Sequence, residues 1–544
     1  MTSLHRNMFL KLLLAISFSS FIVALGSTSE LDDSLTYIWP LPEKFTFGND
    51  SLSVDPQLSL SVAGYGGKSS IVSDAFERYK SIIFKHVHSP SFFDRFRGRL
   101  SAYDITKLSV IVHSENEELQ LGIDESYTLF VAKHDRLSIV GEATIEANTV
   151  FGALRGLETF SQLCVFDYGT ESVQVYKAPW YIQDKPRFSF RGLLLDTSRH
   201  YLPIDVIKQI LESMSYAKLN VLHWHVIDEQ SFPLEVPTYP NLWKGAYTKW
   251  ERYSIGDAYE IVNFAKARGI NIMPEVDVPG HAESWGVGYP DLWPSPICRE
   301  PLDVTNNFTF ELISGILTDM RKIFPFELFH LGGDEVNTDC WNSTPHVKQW
   351  LQDHNMTAKD AYKYFVLRGQ QIAISKNWTP VNWEETFNTF ASNLDSRTVV
   401  HNWLGPGVCP KVVAKGFRCI FSNQGVWYLD HLDVPWDKVY EAEPLEGINN
   451  ASEQELVLGG EVCMWGETAD TSNVQQTLWP RAAAAAERLW SSEKAISSGN
   501  ITLTALPRLH YFRCLLNRRG VQAAPVTNFY ARTAPRGPGS CYEQ

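Results

Sequence analysis

The sequence predicts an α/β protein in which a (β/α)8 TIM barrel follows a smaller α+β domain of sheet and helices. Two observations carry this. From Phe188 onward, eight short and nearly continuous apolar runs alternate with segments of helical periodicity, the pattern of strands buried on both faces. Almost every one of those runs ends in Asp, Glu, His or Trp. A barrel collects its strand C-termini around one mouth, so these ends would meet in a single pocket.

Taken in order, the predicted barrel strands are 190–196, 221–228, 271–277, 328–334, 379–383, 399–403, 418–422 and 456–465. Between them, Ile204, Ile207, Ile210, Leu211 and Met214 form one apolar helical stripe, and Ala258, Ile261, Val262 and Ala265 another. Ahead of the barrel, strand-like runs at 108–113 and 127–132 alternate with helical spacing over 73–86 and 147–164. Two prolines and little periodicity mark 177–187 as a linker. The first residues carry His5, Arg6 and Lys11 around the start of an apolar run over 12–25, then the small residues Ala24 and Gly26. That run is shorter than the ~20 residues of a spanning helix and has the layout of a signal peptide. The expected division is therefore a leader over 1–26, an α+β domain over 27–186, and a barrel with C-terminal extension over 187–544. No later segment is expected to span a membrane.

A chain of 544 residues with 44% hydrophobic and 20% charged residues is ordinary for a soluble enzyme. Its formal charge of −14, with no long Lys/Arg run, argues against nucleic acid, whose affinity comes mostly from neutralised phosphates. Seventeen Trp are many. Beside Gly, Pro and acidic residues they suit a pocket that stacks on flat ligand faces, although core packing accounts for others. A secretory route, ending in vacuole, lysosome or extracellular space, also fits seven N-x-Ser/Thr sequons, at Asn49, Asn307, Asn342, Asn355, Asn377, Asn450 and Asn500. None of the eight Cys stands in a C-x-x-C pair, which argues against zinc-ribbon and redox motifs. Cys409 and Cys419 could pair locally, and the apolar setting of Cys463 suggests a buried free thiol.

The chemistry concentrates at Asp334 and Glu335, which follow Gly332 and Gly333 at the end of one run. Adjacent carboxylates repel, so an ionised Asp334 is expected to keep Glu335 protonated and fit to donate to a leaving oxygen. Most glycoside hydrolases place two carboxylates on opposite sides of the scissile bond. Here the obvious pair is adjacent, which suits a substrate that brings its own nucleophile, as a 2-acetamido sugar can.

These residues carry a family resemblance. His330-Leu-Gly-Gly-Asp-Glu335, together with Arg191-Gly-Leu-Leu-Leu-Asp-Thr-Ser-Arg-His200, His223-Trp-His225, Pro279-Gly-His281 and Cys463-Met-Trp-Gly-Glu467, resembles the β-N-acetylhexosaminidases of glycoside hydrolase family 20. The likeness runs from about Tyr37 to Tyr542 and is strongest to eukaryotic lysosomal-type enzymes. It implies a retaining, substrate-assisted exo-hydrolase without a cofactor, acting on N-glycans, chitooligosaccharides or glycolipids, with a homodimer possible. By motif, Glu335 resembles the general acid/base, Asp334 the acceptor of the acetamido N–H, and Tyr428 the donor to the acetamido oxygen. Trp383, Trp403 and Trp465 match aromatic walls; Arg199, Asp430 and Glu467 match groups that grip hydroxyls; Asp228 and His281 match polar groups that order the acids. The resemblance also suggests Cys298–Cys340 and Cys514–Cys541 disulfides. One departure stands out. Where relatives that accept anionic sugars can carry Asn–Arg, this chain has Asp430–His431, which points to neutral substrates.

Two other readings compete. His223 and His225 face one way on a strand and, with Asp228 and His281, could hold a metal. A sugar-binding barrel without catalysis would use the same aromatics, but would need no matched acid, stabiliser and acetamide clamp.

Overall fold

A computed structural model of the chain describes residues 32, 34–87, 103–131, 141–496 and 499–527, with the backbone of 134–135 and 138–139. The expected leader over 1–26 and Cys541 lie outside the described residues.

The N-terminal part is built on β1 (Lys44–Thr46), β2 (Asp50–Gly64), β3 (Ile105–Val112), β4 (Tyr127–Val131), the short pair β5 (His134–Asp135) and β6 (Ser138–Ile139), β7 (Glu142–Ala147), β8 (Cys164–Asp167), β9 (Ser172–Ala178) and β10 (Trp180–Asp184). Eight of these form one sheet in the order β1-β10-β4-β7-β3-β2-β9-β8. Helices Ser70–Ile83 and Val150–Leu163 pack against each other, the second also against β7 and β4. Each starts at a side-chain cap, Ser69 and Thr149, whose hydroxyls accept otherwise unpaired backbone N–H groups.

The expected linker at 177–187 is corrected: most of it is strand. β9 ends at Ala178, and β10 runs over Trp180–Asp184 between β1 and β4. The period-two burial of Trp180, Ile182 and Asp184 against outward Tyr181 and Gln183 was masked by Pro179 and Pro186. Only 185–189 connect the sheet to the barrel.

The barrel is closed, with β11 (Phe190–Asp196), β12 (Val221–Ile227), β13 (Asn271–Val276), β14 (Leu328–His330), β15 (Thr379–Trp383), β16 (Val399–His401), β17 (Arg418–Phe421) and β18 (Val457–Met464) parallel in sequence order. All eight expected strands are present, several shorter at their C-terminal ends. The interior is layered. Phe190, Val221, Met273, Leu328, Val381, Val399 and Ile420 close the lower end as an apolar plug. Above them lie the fully buried His223, Glu275, His330, His401 and Glu461. Gly192 makes room for this layer, since a Cβ there would stand 2.6 Å from Glu461 Oε2. The top layer, Leu194, Trp383, Tyr428 and Cys463 with Trp403 and Trp465 against them, opens to the mouth.

Helix Val150–Leu163 is buried on every face because it lies between the sheet and the barrel. Arg155 on it donates to the Arg268 and Gly269 carbonyls of the barrel. Buried Glu125 receives both Arg155 and barrel Arg191, at 2.8 and 2.7 Å. Two cations sharing one desolvated carboxylate require the two parts to dock in one arrangement.

Cys298–Cys340 and Cys409–Cys419 are disulfides; Cys514 is also disulfide-bonded, and Cys463 is a buried free thiol. All seven sequon asparagines are exposed. Among the described residues, no helix is long and apolar enough to cross a membrane.

Candidate active site

The strand expected to reach Asp334 stops at His330. Gly332 and Gly333 then take positive φ, 61° and 95°, and Glu335 itself sits at φ 48°. A Cβ on Gly332 would fall 1.8 Å from Asp277 Oδ1, so only glycine fits. The turn is pinned from three sides: Gly333 N donates to Asp277 at 2.8 Å, Asn382 Nδ2 to the Gly332 carbonyl at 3.0 Å, and Tyr362 to the Gly333 carbonyl. It sends consecutive carboxylates into different surroundings. Asp334 is 8% exposed, whereas the Glu335 side chain is 61% exposed at the mouth.

His281 links them. Its Nε2 lies 3.7 Å from Asp334 Oδ2 and 3.6 Å from Glu335 Oε2, and its Nδ1 is 3.1 Å from Asp228. Burial alone would lower the pKa of His281, but the charges of Asp334 and Asp277 outweigh it and hold the ring cationic. The facing His281 ring in turn lowers the Glu335 pKa against the opposing effect of burial. This corrects the expectation that Asp334 keeps Glu335 protonated. The cation of His281 decides the sign, and the repulsion from Asp334 falls on Asp277, whose pKa is raised well above normal by burial and then by Asp334.

Around this pair the structure gathers the other expected residues. Arg199 bonds Asp228 at 2.9 Å and Asp196 at 3.1 Å, lies 5.2 Å over the Trp465 ring, and has Glu467 at 3.9 Å. Trp403 stacks parallel to Tyr428 at 6.2 Å, with Trp465 6.1 Å from both Tyr428 and Trp383. Trp383 is 1% exposed and stacks on His401 at 4.3 Å, so it forms a floor rather than a side. Asp334 Oδ1 and Asp430 Oδ1 are buried acceptors without a hydrogen-bond partner. Such groups are costly unless a ligand satisfies them.

The metal set considered from sequence does not converge. The two ring nitrogens of His225 each meet a carboxylate, Glu275 and Asp228, and His223 lies between Glu461 at 2.9 Å and Glu275 at 3.1 Å. Among the described residues, the groupings that bring ligand atoms within 4.8 Å are His223–His401–Glu461, His223–Glu275–His330 and Asp277–His281–Asp334. Hydrogen bonds satisfy both ring nitrogens of His225; His223 bonds Glu461 through Nδ1, and its buried Nε2 faces Glu275 as an ion pair without a hydrogen bond.

Sequence reasoning gave no role to Asp277, Glu275, Glu461, His330, His401 or Glu385. Glu385 accepts the Trp403 indole N–H with both oxygens, at 3.1 and 2.9 Å. Alternation was the available signal: His223/His225, Glu275/Asp277 and Glu461/Cys463 are i,i+2 pairs, which a strand turns to one face.

The profile of the glycosyl hydrolase family 20 catalytic domain matches residues 188–493, more than half of the chain. The chain belongs to glycosyl hydrolase family 20. A second profile, beta-acetyl hexosaminidase like, matches residues 38–163 of this family member. Beta-hexosaminidase 1 of Arabidopsis thaliana is 72% identical over 540 residues, 99% of either chain. The beta-hexosaminidase subunit beta of Homo sapiens is 36% identical, covering 90% of this chain and 88% of that one. Among solved structures, the Flavobacterium johnsoniae chitobiase superimposes with a TM-score of 0.77 at 28% identity, over 90% of this chain and 73% of its own. This family 20 chain is a glycosidase, and the family's exo-acting β-N-acetylhexosaminidase activity is the frame for its site.

Proposed function

We propose that the chain removes terminal, non-reducing β-linked N-acetylglucosamine or N-acetylgalactosamine with retention, using the substrate's 2-acetamido group as nucleophile. The observation that carries this is the division of the consecutive acids: Asp334 buried with a partnerless oxygen, Glu335 exposed at the mouth. In this reading Glu335 gives its proton to the glycosidic oxygen as the acetamido oxygen attacks C1. Asp334 accepts the acetamido N–H and balances the positive oxazolinium, and Tyr428 donates to the acetamido oxygen. Glu335, now a carboxylate, takes a proton from the water that opens the ring. Two inversions at C1 give net retention.

Trp383, Trp403 and Trp465 shape the acetamido pocket, while Arg199, Asp430 and Glu467 bind hydroxyls of the terminal sugar. Asp228 and His281 order the acids. No step calls for a cofactor. The expected leader, the exposed sequons and the disulfides support a secretory route to vacuole, lysosome or extracellular space, and a homodimer is testable by light scattering. The sugar-binding alternative lacks a use for Glu335.

The deciding experiment compares nitrophenol release from an N-acetyl-β-glucosaminide and from the β-glucoside that lacks the acetamido group. Turnover of the first alone is expected. Comparable turnover of both would remove the substrate's amide from the mechanism.

A further inference from the structure

Below the sugar-facing layer, one buried carboxylate touches both halves of the site. Glu275 Oε1 accepts the Trp383 indole N–H at 3.0 Å and meets His330 Nδ1 at 2.8 Å. Its Oε2 meets His225 Nδ1 and lies 3.1 Å from His223 Nε2. From His225 the chain continues through Nε2 to Asp228 Oδ2 at 2.6 Å, and from Asp228 to Arg199 at 2.9 Å and His281 at 3.1 Å. His281 faces Asp334 and Glu335. Every member from Glu275 to Asp228 is at most 1% exposed, so no solvent competes for these bonds. A plain filler of the barrel would be apolar, like the plug one layer below. A desolvated carboxylate with three imidazoles around it is costly unless the arrangement is needed.

We infer that Glu275 is a positioning residue for hydrolysis: one arm fixes Trp383 at the floor of the acetamido pocket, and the other fixes His225, through which Asp228 holds Arg199 and His281 in place. The inference rests on the proposed roles of Glu335 and Asp334 and extends them to a group that cannot touch substrate.

Glu275 contacts His223, His225, His330 and Trp383, and it also acts electrostatically on His401, Glu461 and Asp277. The groups facing His225 are Glu275, Asp228 and the edge of Trp465. Burial opposes a charge on His225, but Glu275 and the bonds to Asp228 and Glu275 override it and raise its pKa to about 10. Glu275 itself is held well below the carboxylate range by its three histidines, against the effect of burial. Without the Glu275 charge, the His225 pKa falls back toward the ordinary imidazole range.

The test measures kcat and KM for nitrophenyl N-acetyl-β-glucosaminide between pH 4.5 and 7.5. Glu275→Gln keeps an acceptor for Trp383 but loses the charge, so its rate relative to wild type should fall about tenfold across that range. Glu275→Asp keeps the charge but draws it away from Trp383; its ratio should stay flat while KM rises. Trp383→Phe should raise KM without a new pH dependence. A flat ratio for Gln, or a ratio for Asp that falls with pH as steeply as expected for Gln, overturns the inference. If Gln does not fold, the Asp variant decides alone. Wild type inactive on this substrate, or Glu335→Gln fully active, would instead sink the proposed function.

Discussion

The His281 imidazole stands 3.6 Å from the Glu335 carboxylate while its other nitrogen meets Asp228 at 3.1 Å. A cation there favours the ionised form of Glu335, and its pKa is lowered accordingly. A general acid with a lowered pKa is loaded only in acid, so kcat/KM should be highest on the acid side and decline as pH rises. His281→Asn removes the cation. Its overall rate should drop, and the alkaline decline should move to higher pH. A pH profile of kcat/KM checks both, and an unmoved decline would contradict the role of His281.

The division between Asp334 and Glu335 predicts different losses. Glu335→Gln should cost about 10²–10⁴-fold on an oligosaccharide, whose leaving alcohol needs a proton, and less on a nitrophenyl glycoside, whose leaving group does not. Asp334→Asn and Tyr428→Phe act on the acetamido group, so each should cost about 10²–10³-fold on either substrate. Both should also weaken a thiazoline mimic of the cyclic intermediate. Equal losses for Glu335→Gln on the two leaving groups would exclude it as the proton donor.

Much of this was legible in the sequence. The eight apolar runs specified the barrel, and their polar ends marked the mouth because strand C-termini must converge there. What could not be read is which way charge pulls at a given carboxyl. Asp334 is one residue from Glu335, but the turn through Gly332 and Gly333 puts His281 on both of them. The histidine pair at 223 and 225 resembled metal ligands for the same reason: the partners Glu275 and Glu461 are 50 and 238 residues away. The sheet strand β10 was missed because two flanking prolines hid a period-two pattern.

Glu385 predicts how stability follows pH. Burial, then the charge of Asp334, raises its pKa to about 8, above the ordinary glutamate value of about 4.3. A raised carboxyl binds its proton better in the folded state. Its contribution is complete below pH ~4.3 and is lost as pH rises to about 8, on the order of 1–3 kcal/mol after allowance for partial exposure. Thermal unfolding should therefore show a falling midpoint between pH 5 and 8, and Glu385→Gln should flatten it. A variant with the same slope would place the dependence elsewhere.

At the junction of sheet and barrel, Glu125 compensates Arg155 and Arg191. Glu125→Ala leaves two buried guanidiniums without a carboxylate, so unfolding stability should fall by about 3–5 kcal/mol. Glu125→Gln, which retains an acceptor, should lose less. Denaturant titration is the measurement, and a loss within ~0.5 kcal/mol would show the junction to be held by packing alone.

The proposed preference for neutral sugars turns on Asp430. Its Oδ1 is buried and unpartnered, and burial raises its pKa to about 6, against the pull of His431. Above that pH an anion faces the terminal sugar, and a sulfate at the 6-position would meet it in a site screened poorly by water. Below it, the carboxyl is neutral and the repulsion fades. Turnover of a 6-sulfated nitrophenyl N-acetylglucosaminide should thus trail the neutral one by more than about tenfold at pH 7, where one factor of ten needs only ~1.4 kcal/mol. The gap should narrow toward pH 5, and Asp430→Asn should narrow it at both. If the sulfated sugar is turned over as fast as the neutral one at pH 7, Asp430–His431 does not select against charge.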